Sequence, residues 1–116
     1  MKPLIVNPDQ LPWQSLDGVP GMTIRQALGP DESNSLSAGF TRFKETSFDF
    51  RLEFDECLLV LEGELAVTVD GERLTARKGE VVWLPRHSDV LYEAEDECLV
   101  FFAVYPANWE ELSTGR

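Results

Sequence analysis

The chain has 116 residues, 43% hydrophobic and 27% charged, with 21 Asp and Glu against 10 Lys and Arg, for a net charge of −11. That length suits one domain, and the composition is that of a globular chain rather than a disordered one. The acidic excess argues against nucleic acid or an anionic membrane as a partner, since both demand cations. The surplus carboxylates read as a solvated exterior.

The N-terminal stretch MKPLIVNPDQLPW has no signal-peptide core, and no apolar run approaches membrane-spanning length. Residues 3–6 and 22–27 read as strands joined by a Pro/Gly-rich stretch, 29–34 as a polar loop and 37–43 as a third strand. Phe48, Phe50, Leu52 and Phe54 then alternate with Asp49, Arg51 and Glu53, which puts four apolar side chains on one face of a strand. A continuous apolar run over 57–61 precedes Gly63. Leu65, Val67 and Val69 alternate again, and Asp70-Gly71 signals a type I′ hairpin with Leu74 on the return strand. Lys78-Gly79 marks a further turn. Residues 81–84 form an apolar strand stopped by Pro85, followed by strands at 90–94 and 98–104, the last expected to be buried on both faces. Only the end reads as helical: Asn108-Trp109-Glu110-Glu111 has the form of a capping box and predicts one short turn.

The sum is one all-β domain over residues 1–116, of about eight to ten strands, with the pattern of a jelly roll, sandwich or closed barrel. Cys57 and Cys98 sit inside apolar runs and are expected to be buried, reduced thiols of a cytoplasmic protein.

From Glu56 to Pro85 the sequence reads ECLLVLEGELAVTVDGERLTARKGEVVWLP. Its spacing resembles the cupin superfamily of small jelly-roll barrels over residues of about 36–105. Glu56 and Gly63 fit the acid and glycine of the first cupin motif, and Gly79 and Pro85 fit the start of the second. The motif histidines are missing. Their places fall to Phe50 and Leu52, or to Asp49 and Arg51, with parity favouring the first pair. In the second motif His87 stands for a glycine and Val90 for the histidine. Of the usual metal ligands only Glu56 remains, so neither metal nor cofactor is expected. Within the superfamily the chain is most similar to the Q-type ethanolamine-utilisation proteins, through Phe54-Asp55-Glu56, Val60-Leu61-Glu62-Gly63-Glu64 and the ending Val104-Tyr105-Pro106-Ala107-Asn108-Trp109. That resemblance implies a part in ethanolamine catabolism and acetate-kinase-like activity. The sequence lacks the additional N-terminal region of longer members, which implies a stand-alone relative.

The residues themselves narrow the chemistry. His87 is the single histidine and reads as a solvated loop residue, so no histidine cluster exists. There is no nucleophile elbow and no P-loop, and neither cysteine has a cation near it in sequence. Glu62 and Glu64 flank a turn and read as solvated. Asp55 and Glu56 point to opposite faces, and parity turns Glu56 inward among Phe50, Leu52 and Phe54. There desolvation would raise its pKa and suit it to general acid or base work, which makes it the candidate catalytic residue. A carboxyl hydrogen-bonded to a barrel tyrosine or arginine is the structural alternative. Phe50, Leu52, Trp83, Tyr92 and Tyr105 are the candidate ligand-pocket residues, with the tyrosine hydroxyls orienting a small polar ligand. Arg42, Arg51 and Arg86 are the candidate cations at the mouth, and nothing selects among them. Two functions stay open: a small-metabolite site in the barrel, or a non-enzymatic binding or scaffold module of a catabolic assembly. A homodimer is expected through the N-terminal strands, which carry Leu4, Ile5, Val6 and Trp13.

Overall fold

The computed structural model describes residues 3–15, 19–29 and 35–107. A 3-10 turn at Pro8–Gln10 precedes eight strands: β1 Gln14–Ser15, β2 Met22–Leu28, β3 Ser37–Arg51, β4 Asp55–Glu62, β5 Glu64–Val69, β6 Glu72–Arg77, β7 Val81–Leu84 and β8 Asp89–Tyr105. The helical turn expected at 108–111 lies outside the described residues.

The strands form one antiparallel sheet in the order β1-β2-β3-β8-β4-β7, with β5 paired to both β6 and β8. β8 organises it. One edge of this 17-residue strand follows β3 from Ser37↔Val104 to Arg51↔Asp89. Its other edge is shared: Leu99 to Tyr105 pair with β4, and Val90 to Glu93 pair with β5. The sheet curls on itself, but among the described residues no pairing joins β7 to β1. The barrel is therefore open rather than closed, its edge strands β7 and β1 having four and two residues.

Hydrophobic alternation sets which side faces in. Along β8, Val90, Tyr92, Ala94, Cys98, Val100, Phe102 and Val104 are buried while their neighbours are not. The run 98–104 is thus buried on one face and half-buried on the other, not buried on both. Leu52, Val60, Leu65, Val67, Val90 and Val100 are the fully buried apolar centre, each stabilising the fold by about 1.5–3 kcal/mol relative to exposure. The strands read separately at 37–43 and 48–54 are one strand broken by a bulge. Lys44 faces Glu97 and Thr46 faces Ala94, with Glu45 at φ +46° between them. β3 advances two residues there while β8 advances three, so the inward parity of β3 switches. Phe43 and Phe48, five apart, consequently share the inner face.

The turns follow their chemistry. Asp70 (φ +53°) and Gly71 (φ +79°) are both left-handed, as the type I′ hairpin between β5 and β6 requires. Gly63 (φ +79°) joins β4 to β5 so close to β8 that a Cβ there would lie 2.3 Å from the carbonyl oxygen of Glu97.

Two expectations need correction. Residues 3–6 are not a strand: Pro3 cannot donate to a ladder, and Leu4 and Ile5 are exposed. Trp13 packs against the guanidinium groups of Arg25 (4.3 Å) and Arg42 (5.1 Å). Cys57 is exposed, because on β4 it shares the outward parity of Leu59, while Cys98 is buried; both are free thiols.

Candidate functional site

Inside the curl lies a cavity of about 50 Å³. β2 supplies Met22 and Ile24 at its rim, and β3 supplies Thr41 and Phe43 before the bulge and Phe48 and Phe50 after it. The bend after β3 contributes Phe54, β4 contributes Glu56 and Leu58, and β8 contributes Tyr92, Phe102 and Val104. The wall is therefore aromatic and aliphatic, interrupted by three polar side chains: a carboxyl, a phenol and a hydroxyl.

Two of these are bonded to each other. The Tyr92 hydroxyl donates to Oε1 of Glu56 at 2.7 Å. The Tyr92 ring stacks on Phe43 (centroids 6.2 Å, 18°) and on Phe48 (6.0 Å, 20°), so the phenol that holds Glu56 is itself packed against two rings. Burial pushes the Glu56 carboxyl up from its ordinary 4.5 to about 7, and the Tyr92 bond restrains that rise. Tyr92 is pushed well above its usual value by its own burial and by the adjacent carboxylate. The arrangement holds a carboxyl that exchanges its proton near neutral pH in a hydrophobic recess, next to a phenol that stays protonated.

Glu56 faces the cavity, although not through continuity with Phe48–Phe54. β3 ends at Arg51 and the chain bends over 52–54 before β4 begins. Glu56 is set inward by β4 itself, where it shares a face with Leu58 and Val60 and lies opposite Val104 and Leu84. Phe50 and Tyr92 join it at the cavity, and three other candidates do not. Leu52 is fully buried in the adjoining core. Trp83 is 60% exposed, since it alternates with the inward Val82 and Leu84. Tyr105 is 54% exposed because it follows the inward Val104. Parity along β7 and β8 could have excluded both. Phe43, Phe48, Phe54, Phe102, Thr41 and the β2 residues were not singled out. Phe48 and Phe54 were visible in the alternation, whereas placing Thr41 and Phe43 needed the bulge.

Metal-ligand chemistry does not fit the cavity. Phe50 and Leu52, or Asp49 and Arg51, stand with Val90 at the expected histidine positions, and among the described residues no group of three or more His, Cys, Asp or Glu side chains could hold an ion. His87 is exposed at φ +76° in the turn after β7, with Nε2 3.7 Å from Glu53. The arginines expected at the mouth are engaged elsewhere: Arg42 with Glu97, Arg51 with Glu53 (3.3 Å) and Asp89 (3.2 Å), and Arg86 over the Tyr105 ring at 6.0 Å.

The curled antiparallel sheet is a cupin-like fold. An RmlC-like cupin from Shewanella frigidimarina shares that fold, with a TM-score of 0.79 at 18% identity over 95% of this chain and 96% of that one. The family model described as ethanolamine utilisation protein EutQ matches residues 18–111, and the chain belongs to that family. The acetate kinase EutQ of Clostridioides difficile (strain 630) is 34% identical over 79 residues, which are 68% of this chain and 50% of that protein. The chain thus spans about half the length of that relative. An ethanolamine utilization protein Q of Salmonella typhimurium LT2 superposes with a TM-score of 0.83 at 25% identity, over 90% of this chain and 86% of that one.

Proposed function

We propose that the chain binds a small metabolite inside the barrel, at Glu56, as part of ethanolamine or related small-metabolite catabolism. The observation that carries this reading is the Tyr92–Glu56 hydrogen bond at the wall of an otherwise aromatic and aliphatic cavity. A carboxyl placed there gives up hydration for a single phenol bond, and a ligand that engages it offsets that loss. Acetate-kinase-like phosphoryl transfer has less support, since among the described residues no Arg or Lys lines the cavity and an anionic phosphoryl group needs cationic donors. A thermal-shift and calorimetric screen of small acids, amines and nucleotides tests the reading. A hit lost in Glu56→Gln with the fold retained supports it, and hits indifferent to Glu56 would remove it.

We also propose a homodimer, formed through the outer face of the sheet rather than through N-terminal strands. Strand register places Val81, Leu59, Phe101 and Phe40 in one outward row and Trp83, Cys57 and Ala103 in the next. From β7 to β3 these rows carry no charge, and Arg25 on β2 follows Phe40; on a chain of net charge −11 two copies can approach there with little repulsion between carboxylates. Light scattering at micromolar concentration should give a dimer that Trp83→Glu converts to a folded monomer; a monomeric wild type would refute it. The free, exposed Cys57 thiol is in keeping with a reducing compartment such as the cytoplasm.

A further inference from the structure

We infer that the ligand of this cavity is a small primary ammonium ion, paired with the Glu56 carboxylate and surrounded by aromatic rings. The inference rests on the reading of the cavity as a metabolite site and names the ligand's class.

Size comes first. A water-sized centre occupies roughly 10–15 Å³ of such a volume, so about 50 Å³ admits a molecule of about four heavy atoms. Charge comes second. Among the described residues the cavity's one ionisable group besides the protonated phenol is Glu56, and the ion pairs engage other carboxylates. From β2, Met22 and Ile24 face it; from β3, Thr41 and Phe48; from β8, Tyr92, Phe102 and Val104. Among the described lining residues no cation stands ready for an anionic ligand. Tyr92 donates to Oε1, which leaves Oε2 as the acceptor for an N–H⁺ donor.

Surroundings come third. Six rings line the space: Phe43, Phe48, Phe50, Phe54, Tyr92 and Phe102. Aromatic walls attract a desolvated cation through their quadrupoles, each well-placed ring contributing about tenfold or less in affinity. The Thr41 hydroxyl is the remaining polar group on the wall and suits a ligand bearing a hydroxyl at its other end. An amino alcohol as small as ethanolamine matches each of these demands, as does ethylamine apart from the last.

Proton linkage separates an ammonium ion from a carboxylate. An ammonium needs Glu56 ionised, so its affinity rises with pH through the region where Glu56 titrates. A small acid needs Glu56 protonated, so its affinity falls over the same range. Calorimetric titration of the full chain with ethanolammonium, ethylammonium, acetate and ethanol at about pH 6, 7 and 8 reads this directly. The expected result is that both ammonium ions bind and tighten by about tenfold from pH 6 to 8, with acetate and ethanol far weaker. Glu56→Gln should cost the ammonium ions at least tenfold, and Phe48→Leu should weaken them several-fold without moving the neutral alcohol. Should Glu56→Gln fail to fold, the wild-type pH series and Phe48→Leu still decide. Acetate binding that tightens as pH falls would overturn the ammonium assignment while leaving a metabolite site at Glu56. No binding by either class would overturn both.

Discussion

Replacing Glu56 by glutamine tests whether the carboxyl is as strongly desolvated as its position implies. A carboxyl moved from 4.5 to about 7 by folding is one whose ionisation costs the folded state about 3 kcal/mol. The folded protein holds the proton more tightly than the unfolded chain. The stability contributed by the protonated form is therefore complete below about pH 4.5, is lost as pH rises towards 7, and stays lost above that. Glutamine keeps the shape and an acceptor for Tyr92 but cannot ionise. The two proteins should be unfolded by urea, and by heat, at intervals between about pH 4.5 and 8. The difference between wild type and variant at each pH isolates Glu56, because the other carboxylates titrate equally in both. Its absolute value includes the altered Tyr92 bond, but its change with pH does not. That change should favour the variant by about 3 kcal/mol on going from acid to pH 8, or roughly 10 °C in Tm for a domain of this size. A difference that stays constant across the range would show that Glu56 titrates as an ordinary surface acid and would refute the reasoning.

Tyr92→Phe removes the donor that restrains the Glu56 shift, so the Glu56 titration followed by carboxyl carbon NMR should move above its wild-type midpoint; a downward move would show that burial is not the leading cause. Gly63→Ala forces a Cβ against the Glu97 carbonyl at φ +79° and should cost more than about 1 kcal/mol in urea unfolding, whereas equal stability would mean the turn is not confined as described. Protein purified without a histidine tag should contain well under one equivalent of iron, nickel, zinc or manganese and should keep its Tm in EDTA. One tightly held equivalent would show that the donor set has been misread.

How much of this was legible in the sequence depends on whether a feature was local. The hairpin at Asp70-Gly71 and strand β7 follow from turn chemistry and alternation, and both appear where the residues place them. The outward positions of Trp83 and Tyr105 were equally local, since each follows an inward residue in an alternating strand; aromatic character was allowed to outweigh parity. The bulge at Glu45 was not local. It exists because β3 and β8 pair along their whole lengths with one extra residue on β8, and a single strand cannot report its partner's count. Without it, Thr41 and Phe43 cannot be placed on the same wall as Phe48 and Phe50.

The bond between Tyr92 and Glu56 is the least local feature and bears most directly on function. At Glu56 the neighbour on β8 is Val104, while Tyr92 sits in the other half of β8, paired with Val67 and Phe48. The bond therefore spans the interior between strands that are not adjacent at that point, and it depends on β8 bending across the barrel. A leucine or methionine at position 56 would fill part of the cavity and avoid the cost of ionising a carboxyl there, and hydrophobic replacements of buried charged groups are often stabilising. An acid at this position lowers stability at neutral pH, and such losses are commonly accepted at sites where a group has work to do. The work that fits an acid beside a protonated phenol, with no cation among the described residues of its wall, is to meet a cation that arrives from outside.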